Sequence, residues 1–176
     1  VSREIILYIA VSLDGFIAEL DGSIDFLGGG EELLEDETSY QELMEKIDTV
    51  VMGRTTYDQV INELLPDQYP YEDKQSYIIT SHVETDSENL IFTSQNPVEL
   101  IRGLKEEKGE AIWIVGGGSI IAPLVEANLI DTYIITTIPT ILGKGIPLFN
   151  ELEGPVKLTV ADVYVKNNMV YTTYSK

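Results

Sequence analysis

The chain contains no cysteine. That excludes disulfides, thiolate metal ligands and cysteine nucleophiles, and it is compatible with a reducing cytoplasm. No apolar run reaches the roughly 20 residues that span a bilayer, so no membrane partner is expected. The N-terminus shows no basic region followed by an apolar block and a small-residue cleavage site. No signal peptide is visible, and a cytoplasmic location is the expectation. Cations are scarce: 11 Lys plus Arg stand against 30 Asp plus Glu, for a formal net charge of −19. Such a charge favours solubility and repels nucleic-acid phosphates, so a nucleic-acid partner is not expected. The lone histidine, His82, has no second histidine to complete a triad or a metal site, and no metal is expected.

What the chain does have is apolar periodicity and glycine at strand ends. Its 176 residues suit one domain over 1–176, with 44% hydrophobic and 23% charged residues as in ordinary globular proteins. Ile5 to Val11, Thr49 to Met52, Ser76 to Thr80, Asn89 to Phe92, Ala111 to Val115 and Thr132 to Thr137 read as strands. Helical patterns fall between them: a segment ending at Ile47 with Thr38 or Ser39 as cap, Thr56 to Leu64, Asn96 to Lys108 opened by Asn96 and Pro97, and Ser119 to Ala127. Val156 to Lys166 and Met169 to Tyr174 flank Asn167-Asn168, which reads as a terminal β-hairpin. Strands alternating with helices over about 130 residues predict an α/β domain, parallel for most of its sheet, with an antiparallel hairpin at the end. In such sheets ligands bind beyond the carboxyl ends of the strands.

Three motifs stand at those ends. Val115 leads into Gly116-Gly117-Gly118, and Ser119-Ile120 open the helix that follows. Glycine lets a backbone approach a ligand closely, and a helix N-terminus offers unpaired N–H groups and a positive dipole end to phosphate. The segment is neither a Walker loop nor a clean G-x-G-x-x-G; a tight packing turn is its plain structural alternative. Gly53-Arg54-Thr55-Thr56 repeats the logic: glycine for approach, Arg54 as a planar fork of donors, and Thr55 or Thr56 to cap a helix and bond a phosphate oxygen. Thr80-Ser81-His82 ends a strand with hydroxyls and the histidine, suited to a second phosphate such as the 2′-phosphate of NADP. Ser12-Leu13-Asp14-Gly15 and Asp21-Gly22-Ser23 read either as two turns or as the ends of a flap over the ligand. Asp36 and Glu37 lie near a helix start, either as dipole-stabilised carboxylates or as part of a solvated acidic face. Leu142 to Phe149, with two glycines and Lys144, could close over a ligand or shape a crossover.

Taken together and in order, these motifs resemble the dihydrofolate reductase superfamily, and most closely the reductase domain of the riboflavin-biosynthesis deaminase-reductases. The marks are Ser12 to Ala18, Val51 to Tyr57, Ile114 to Gly118 and Pro139 to Gly145 with Leu148-Phe149. The flap Trp-Pro pair of true dihydrofolate reductases is replaced by Asp25-Phe26-Leu27. The resemblance implies a three-layer α/β fold with a mixed sheet of about eight strands flanked by helices, and NADPH as hydride donor. It implies that the pyrophosphate lies against Gly116, Gly117, Gly118, Ser119 and Ile120, with Arg54, Thr55 and Thr56 near the adenosine phosphates. Ser81 and His82 would face the 2′-phosphate, Ala10 and Ile17 the nicotinamide, and Gly22 and Ser23 the flap. Counting back from Gly53 puts Asp36 or Glu37 near the superfamily's buried carboxylate. The proton donor would be water or an acid such as Asp14 or Asp36. The expected activity is NADPH-dependent reduction of a pterin-, pyrimidine- or ribosylamino-type small molecule, with a homodimer expected by analogy. A true dihydrofolate reductase and a non-catalytic nucleotide-binding module are the competing readings.

Overall fold

The computed structural model describes residues 2–27, 38–64, 69–82 and 84–176. Its centre is an eight-stranded sheet. In chain order the strands are β1 (Ile5–Ser12), β3 (Ile47–Gly53), β4 (Gln75–Ile79), β5 (Leu90–Thr93), β6 (Ala111–Gly116), β7 (Thr132–Ile138), β9 (Thr159–Lys166) and β10 (Met169–Ser175). Across the sheet they run β5-β4-β3-β6-β1-β7-β10-β9. The first six are mutually parallel, and β10 pairs antiparallel with both β7 and β9. Two short strands, β2 (Phe16–Ala18) and β8 (Ile146–Pro147), form a separate antiparallel pair.

Alternation along each strand builds two cores. Ile5, Leu7, Val51, Ile112 and Ile114 face one side, where they pack with Ile101 and Leu104 of α3 (Pro97–Glu106) and Ile121 and Leu124 of α4 (Gly118–Glu126). Ile6, Val50, Met52 and Trp113 face the other, against Leu43 of α1 (Thr38–Lys46), Val60 and Tyr71. The period of two thus sends successive residues of one strand into separate layers. This is the expected three-layer arrangement.

Local signals explain most boundaries. The Asn96 side chain accepts hydrogen bonds from the N–H groups of Val98 (2.9 Å) and Glu99 (3.4 Å), with Pro97 at the first helical position. Asn167 and Asn168 take φ of +53° and +63°, the pair of left-handed torsions that a two-residue hairpin turn needs. One expectation fails: Thr55 and Thr56 do not cap their helix. Gly53 is the N-cap of α2 (Arg54–Gln59) and no side chain caps it, so the threonines sit within the first turn. The helix also ends earlier than its apolar pattern predicts, passing into a π-helical turn over Val60–Leu64. Wider turns shift side-chain direction, which a 3.6-residue period does not capture.

Candidate functional site

Because β1 and β3 to β6 run in one direction, their carboxyl ends share one edge of the sheet, and a cleft of about 810 Å³ opens there. Its central wall is made where two helices begin. Gly53 starts α2 and Gly117 starts α4, and a Cβ on Gly53 would stand 3.4 Å from the Ile120 side chain. That is ordinary van der Waals contact, so the two helix starts pack against each other at Gly53 and Ile120. Gly116 has φ +133°, a torsion that favours glycine. It turns the chain from β6 so that Gly117, Gly118 and Ser119 face the cleft; the Gly116–Gly117 peptide is cis. The first N–H groups of a helix have no carbonyl of their own to bond, and at α4 they lie beside the cleft with no side-chain cap.

The structure brings most of the anticipated cofactor residues to this cleft. Ala10, Ile17, Gly22, Gly53, Arg54, Thr55, Thr56, Ser81, Val115, Gly117, Gly118, Ser119 and Ile120 all line it. Three do not. Gly116 is buried behind the cleft and contributes its turn. Ser23 belongs to the flap turn but points into local bonds: its carbonyl accepts from the Glu19 N–H (2.8 Å) and its Oγ from the Asp25 N–H (3.3 Å). His82 is exposed outside the cleft, its backbone N–H donated to Thr80 Oγ1 at 3.1 Å.

Arg54 is present but engaged. Its Nε donates to Asp58 Oδ1 (3.0 Å) and its Nη2 to Glu84 Oε1 (2.7 Å), and the guanidinium lies 5.9 Å and 5.7 Å from the Tyr57 and Phe92 ring centroids. These bonds, that to Glu84 foremost, raise its pKa further. The fork of donors expected to face a phosphate is thus shared between two carboxylates, a tertiary pairing across 30 residues in one case and a helical i,i+4 pairing in the other.

The proposed acids fare differently. Asp14 is exposed and does not line the cleft. Its carboxylate accepts bonds from Ser12 Oγ (2.6 Å), the Gly143 N–H (2.8 Å) and the Leu142 N–H (3.2 Å). The Ser12 hydroxyl foremost, joined by the Gly143 and Leu142 N–H groups, holds it below the usual carboxylate range against the opposing effect of desolvation. An ionised acceptor with three donors is a clasp between two loops, not a proton donor. Asp36 and Glu37 lie outside the described residues.

The flap expectation gains geometry. The Glu19–Ser23 turn, with Gly22 at φ +88°, reaches across to α2, where Gln59 Nε2 donates to the Gly22 carbonyl at 2.6 Å. The loop over 139–149 neither stands free nor merely crosses over. Leu13 donates its N–H to Thr140 (2.8 Å), Leu148 to Gly15 (2.9 Å), and β8 pairs with β2. A Cβ at Gly145 would collide with the Ala18 carbonyl and the Phe16 ring, so glycine is what lets these loops close together. This puts Ile146 and Asn150 in the cleft wall. Ile146 lies in the Leu142–Phe149 stretch that could close over a ligand; sequence reading missed Asn150, together with Ile9, Ile24, Ile79, Gln59 and the Ser94–Pro97 segment. Only the last carried a signal, since an Asn-Pro helix start after a strand is itself a strand-end motif.

Behind the cleft lies a run of edge-to-face aromatic pairs linking Tyr57, Tyr69, Tyr71 and Trp113. Burial pushes the Tyr69 phenol up to about 12 and raises Tyr71 as well. These phenols stay protonated at neutral pH and act as packing. Among the described residues no group of three or more His, Cys, Asp or Glu could hold a metal, and no helix is long and apolar enough to cross a membrane.

Comparison with known proteins agrees with this architecture. The chain is 42% identical to the Bacillus subtilis protein YwjB over 157 residues, 89% of this chain and 88% of that one. A Shewanella sp. PV-4 protein named for riboflavin biosynthesis superposes with TM-score 0.85 at 31% identity, covering 98% of both chains. The Thermotoga maritima diaminohydroxyphosphoribosylaminopyrimidine deaminase/5-amino-6-(5-phosphoribosylamino)uracil reductase superposes at 0.72 and 16% identity, with 99% of this chain matching 56% of that one. Enterococcus faecalis dihydrofolate reductase, solved with NADP(H), shares the fold at TM-score 0.63 and 18% identity, over 99% and 98% of the two chains. The RibD C-terminal domain family matches residues 3–171, and with this fold and this cleft the chain belongs to that family.

Proposed function

We propose that the protein is an NADPH-dependent reductase that transfers a hydride to a small pterin-, pyrimidine- or ribosylamino-type substrate. The observation that carries this reading is the uncapped start of α4, with Gly117, Gly118 and Ser119 facing a cleft at the carboxyl edge of a parallel sheet. The residues fit a dinucleotide. Backbone N–H groups at α4 suit the pyrophosphate, Thr55, Thr56 and Arg54 suit the adenosine phosphates, Ser81 a 2′-phosphate, and Ala10 and Ile17 the nicotinamide. The relatives add support: one solved neighbour is named a reductase and another was solved with NADP(H).

Bound NADPH would supply the hydride. The chain's own part is binding and positioning. Ile17 and Ile24 present apolar surface to the cleft, and the Gln59–Gly22 bond holds the flap across it, limiting water. Among the described residues no carboxylic acid lines the cleft. The proton source proposed is water or, as the resemblance implies, Asp36, which lies outside the described residues.

A cofactor at 100 times its dissociation constant stabilises a protein by about 2.7 kcal/mol, so NADPH should raise the melting temperature clearly. A melting temperature unmoved by both NADPH and NADH would remove the reductase reading and favour a module without this chemistry. NADPH oxidation measured with dihydrofolate and with an aminopyrimidine separates the two enzyme readings. The same proposal includes a homodimer. The edge strand β9 is exposed along nearly its whole length, with Val160, Val163 and Val165 at 59%, 57% and 72% exposure, and an open apolar edge favours pairing with another chain.

A further inference from the structure

Arg54 meets the cleft with its donors already in use. β3 pairs with β4 so that Gly53 stands opposite Ile79. Arg54 and the Thr80–Ser81 segment therefore leave the sheet side by side, and all three residues line the cleft. Arg54 is the one Lys or Arg lining it among the described residues, and residues 1, 28–37, 65–68 and 83 contain neither. Its single positive charge faces two carboxylates. Asp58 Oδ1 accepts from Nε at 3.0 Å, and Glu84 Oε1 accepts from Nη2 at 2.7 Å. The Asp58 pair is an i,i+4 contact within α2. The Glu84 pair comes from elsewhere: it reaches over from the segment that continues from Ser81. Three residues of chain span at most about 11 Å, so Glu84 and Ser81 flank the same patch of the rim.

A guanidinium grips a phosphate at two points, through Nε and Nη2 or through Nη1 and Nη2. Nη2 belongs to both edges, and Glu84 accepts from it. An anion that takes either grip displaces that carboxylate or lies against it, like charge beside like charge. Under the reductase reading, on which this inference rests, the anion that reaches both Ser81 and Arg54 is the 2′-phosphate of the cofactor. A phosphate monoester carries about −1.5 to −2 charges at neutral pH. NADH has a hydroxyl there instead, and a ribose hydroxyl can donate to a carboxylate. We propose that Glu84 is a specificity-determining residue for the cofactor: by holding Arg54 Nη2 it lowers the site's preference for a 2′-phosphate. NADPH enters by taking that donor from Glu84, whereas NADH leaves the pair intact. The side chains of Arg54 and Glu84 are 33% and 51% exposed, so solvent and ligand can reach the pair without unfolding the cleft.

The test is calorimetric titration of the whole protein with NADP+ and with NAD+ at low salt, for wild type, Glu84→Gln and Glu88→Gln. Glu84→Gln should tighten NADP+ at least fivefold and change NAD+ less than twofold. Glu88 is an exposed acid four residues further along. Glu88→Gln removes the same charge from the same segment, and it should change the ratio of the two affinities less than twofold. The melting temperature of free Glu84→Gln should stay within about a degree of wild type, because ion pairs exposed to this degree contribute little to stability. Weaker NADP+ binding by Glu84→Gln would make Glu84 a support that aims Arg54 at the phosphate, and that result overturns the proposal. So does an unchanged ratio. So does an equal gain in Glu88→Gln, which would assign the effect to the general field of a −19 molecule. Binding of neither cofactor, by wild type or by either variant, instead removes the reductase reading itself, and this proposal with it.

Discussion

Asp14 shows how far a residue's role depends on its neighbours. As a carboxylate in a turn next to an apolar strand it is equally suited to proton transfer and to holding a loop. The positions of Leu142 and Gly143, some 130 residues away in the chain, make it a clasp. Its folded pKa lies below the ordinary 3.8. A carboxyl whose folded pKa is depressed contributes stability that is fully present above its unfolded value and is lost as pH falls through the folded one. Wild type should therefore melt higher than Asp14→Asn by a constant margin above about pH 5, and the margin should shrink below the unfolded pKa. A margin independent of pH would mean that the carboxylate charge contributes nothing. Catalytic turnover should survive Asp14→Asn better than loop order does. Arg54 carries the same lesson: its donors were legible in Gly53-Arg54-Thr55-Thr56, but the Glu84 partner comes from the segment after β4 and could not be read from the motif.

At the scale of elements, α4 is where fold and proposed binding can be separated. Ser119 is exposed in the first turn and faces the cleft. A carboxylate there is favourable to the helix dipole by about 0.5 kcal/mol, yet it puts a negative charge where an anionic ligand would sit. Ser119→Asp should thus leave the melting temperature of the free protein unchanged or slightly higher while weakening NADPH at least tenfold. Fluorescence titration checks the affinity, and undiminished binding would move the pyrophosphate away from α4. Elements with strong local signals were legible in advance. Asn96-Pro97 and Asn167-Asn168 act within four residues, and their outcomes follow from backbone torsion and capping alone. The end of α2 was not legible, because the π-helical turn at Val60–Leu64 answers to packing and not to propensity. The β2–β8 pair was not legible either: each strand is two or three residues long and gains its partner from a segment over 120 residues distant.

At the scale of the molecule, the net charge of −19 opposes association while the β9 edge favours it. Edge strands are ordinarily protected by charge, proline or bulges, and β9 shows one register shift against β10, between Thr173 and Tyr174. Sedimentation should show a dimer whose dissociation constant falls as salt screens the mutual repulsion. Val165→Lys, at the most exposed of the β9 valines, should give a monomer with an unchanged melting transition at high dilution. A monomer in wild type at all salt concentrations would assign the exposed valines no partner.

The sequence alone determined the eight strands of the main sheet, that most of them run parallel, and that glycine-started helices meet the carboxyl edge. Those outcomes rest on hydrophobic period, torsional freedom and capping, which act over a few residues. The tertiary structure decided which charges meet. It tied Arg54 to Glu84, closed Asp14 onto the 142–143 backbone, latched Gly22 to Gln59, and brought Ile146 and Asn150 into the cleft wall. Such pairings depend on distance in space, and no local pattern encodes the approach of segments 30 to 129 residues apart.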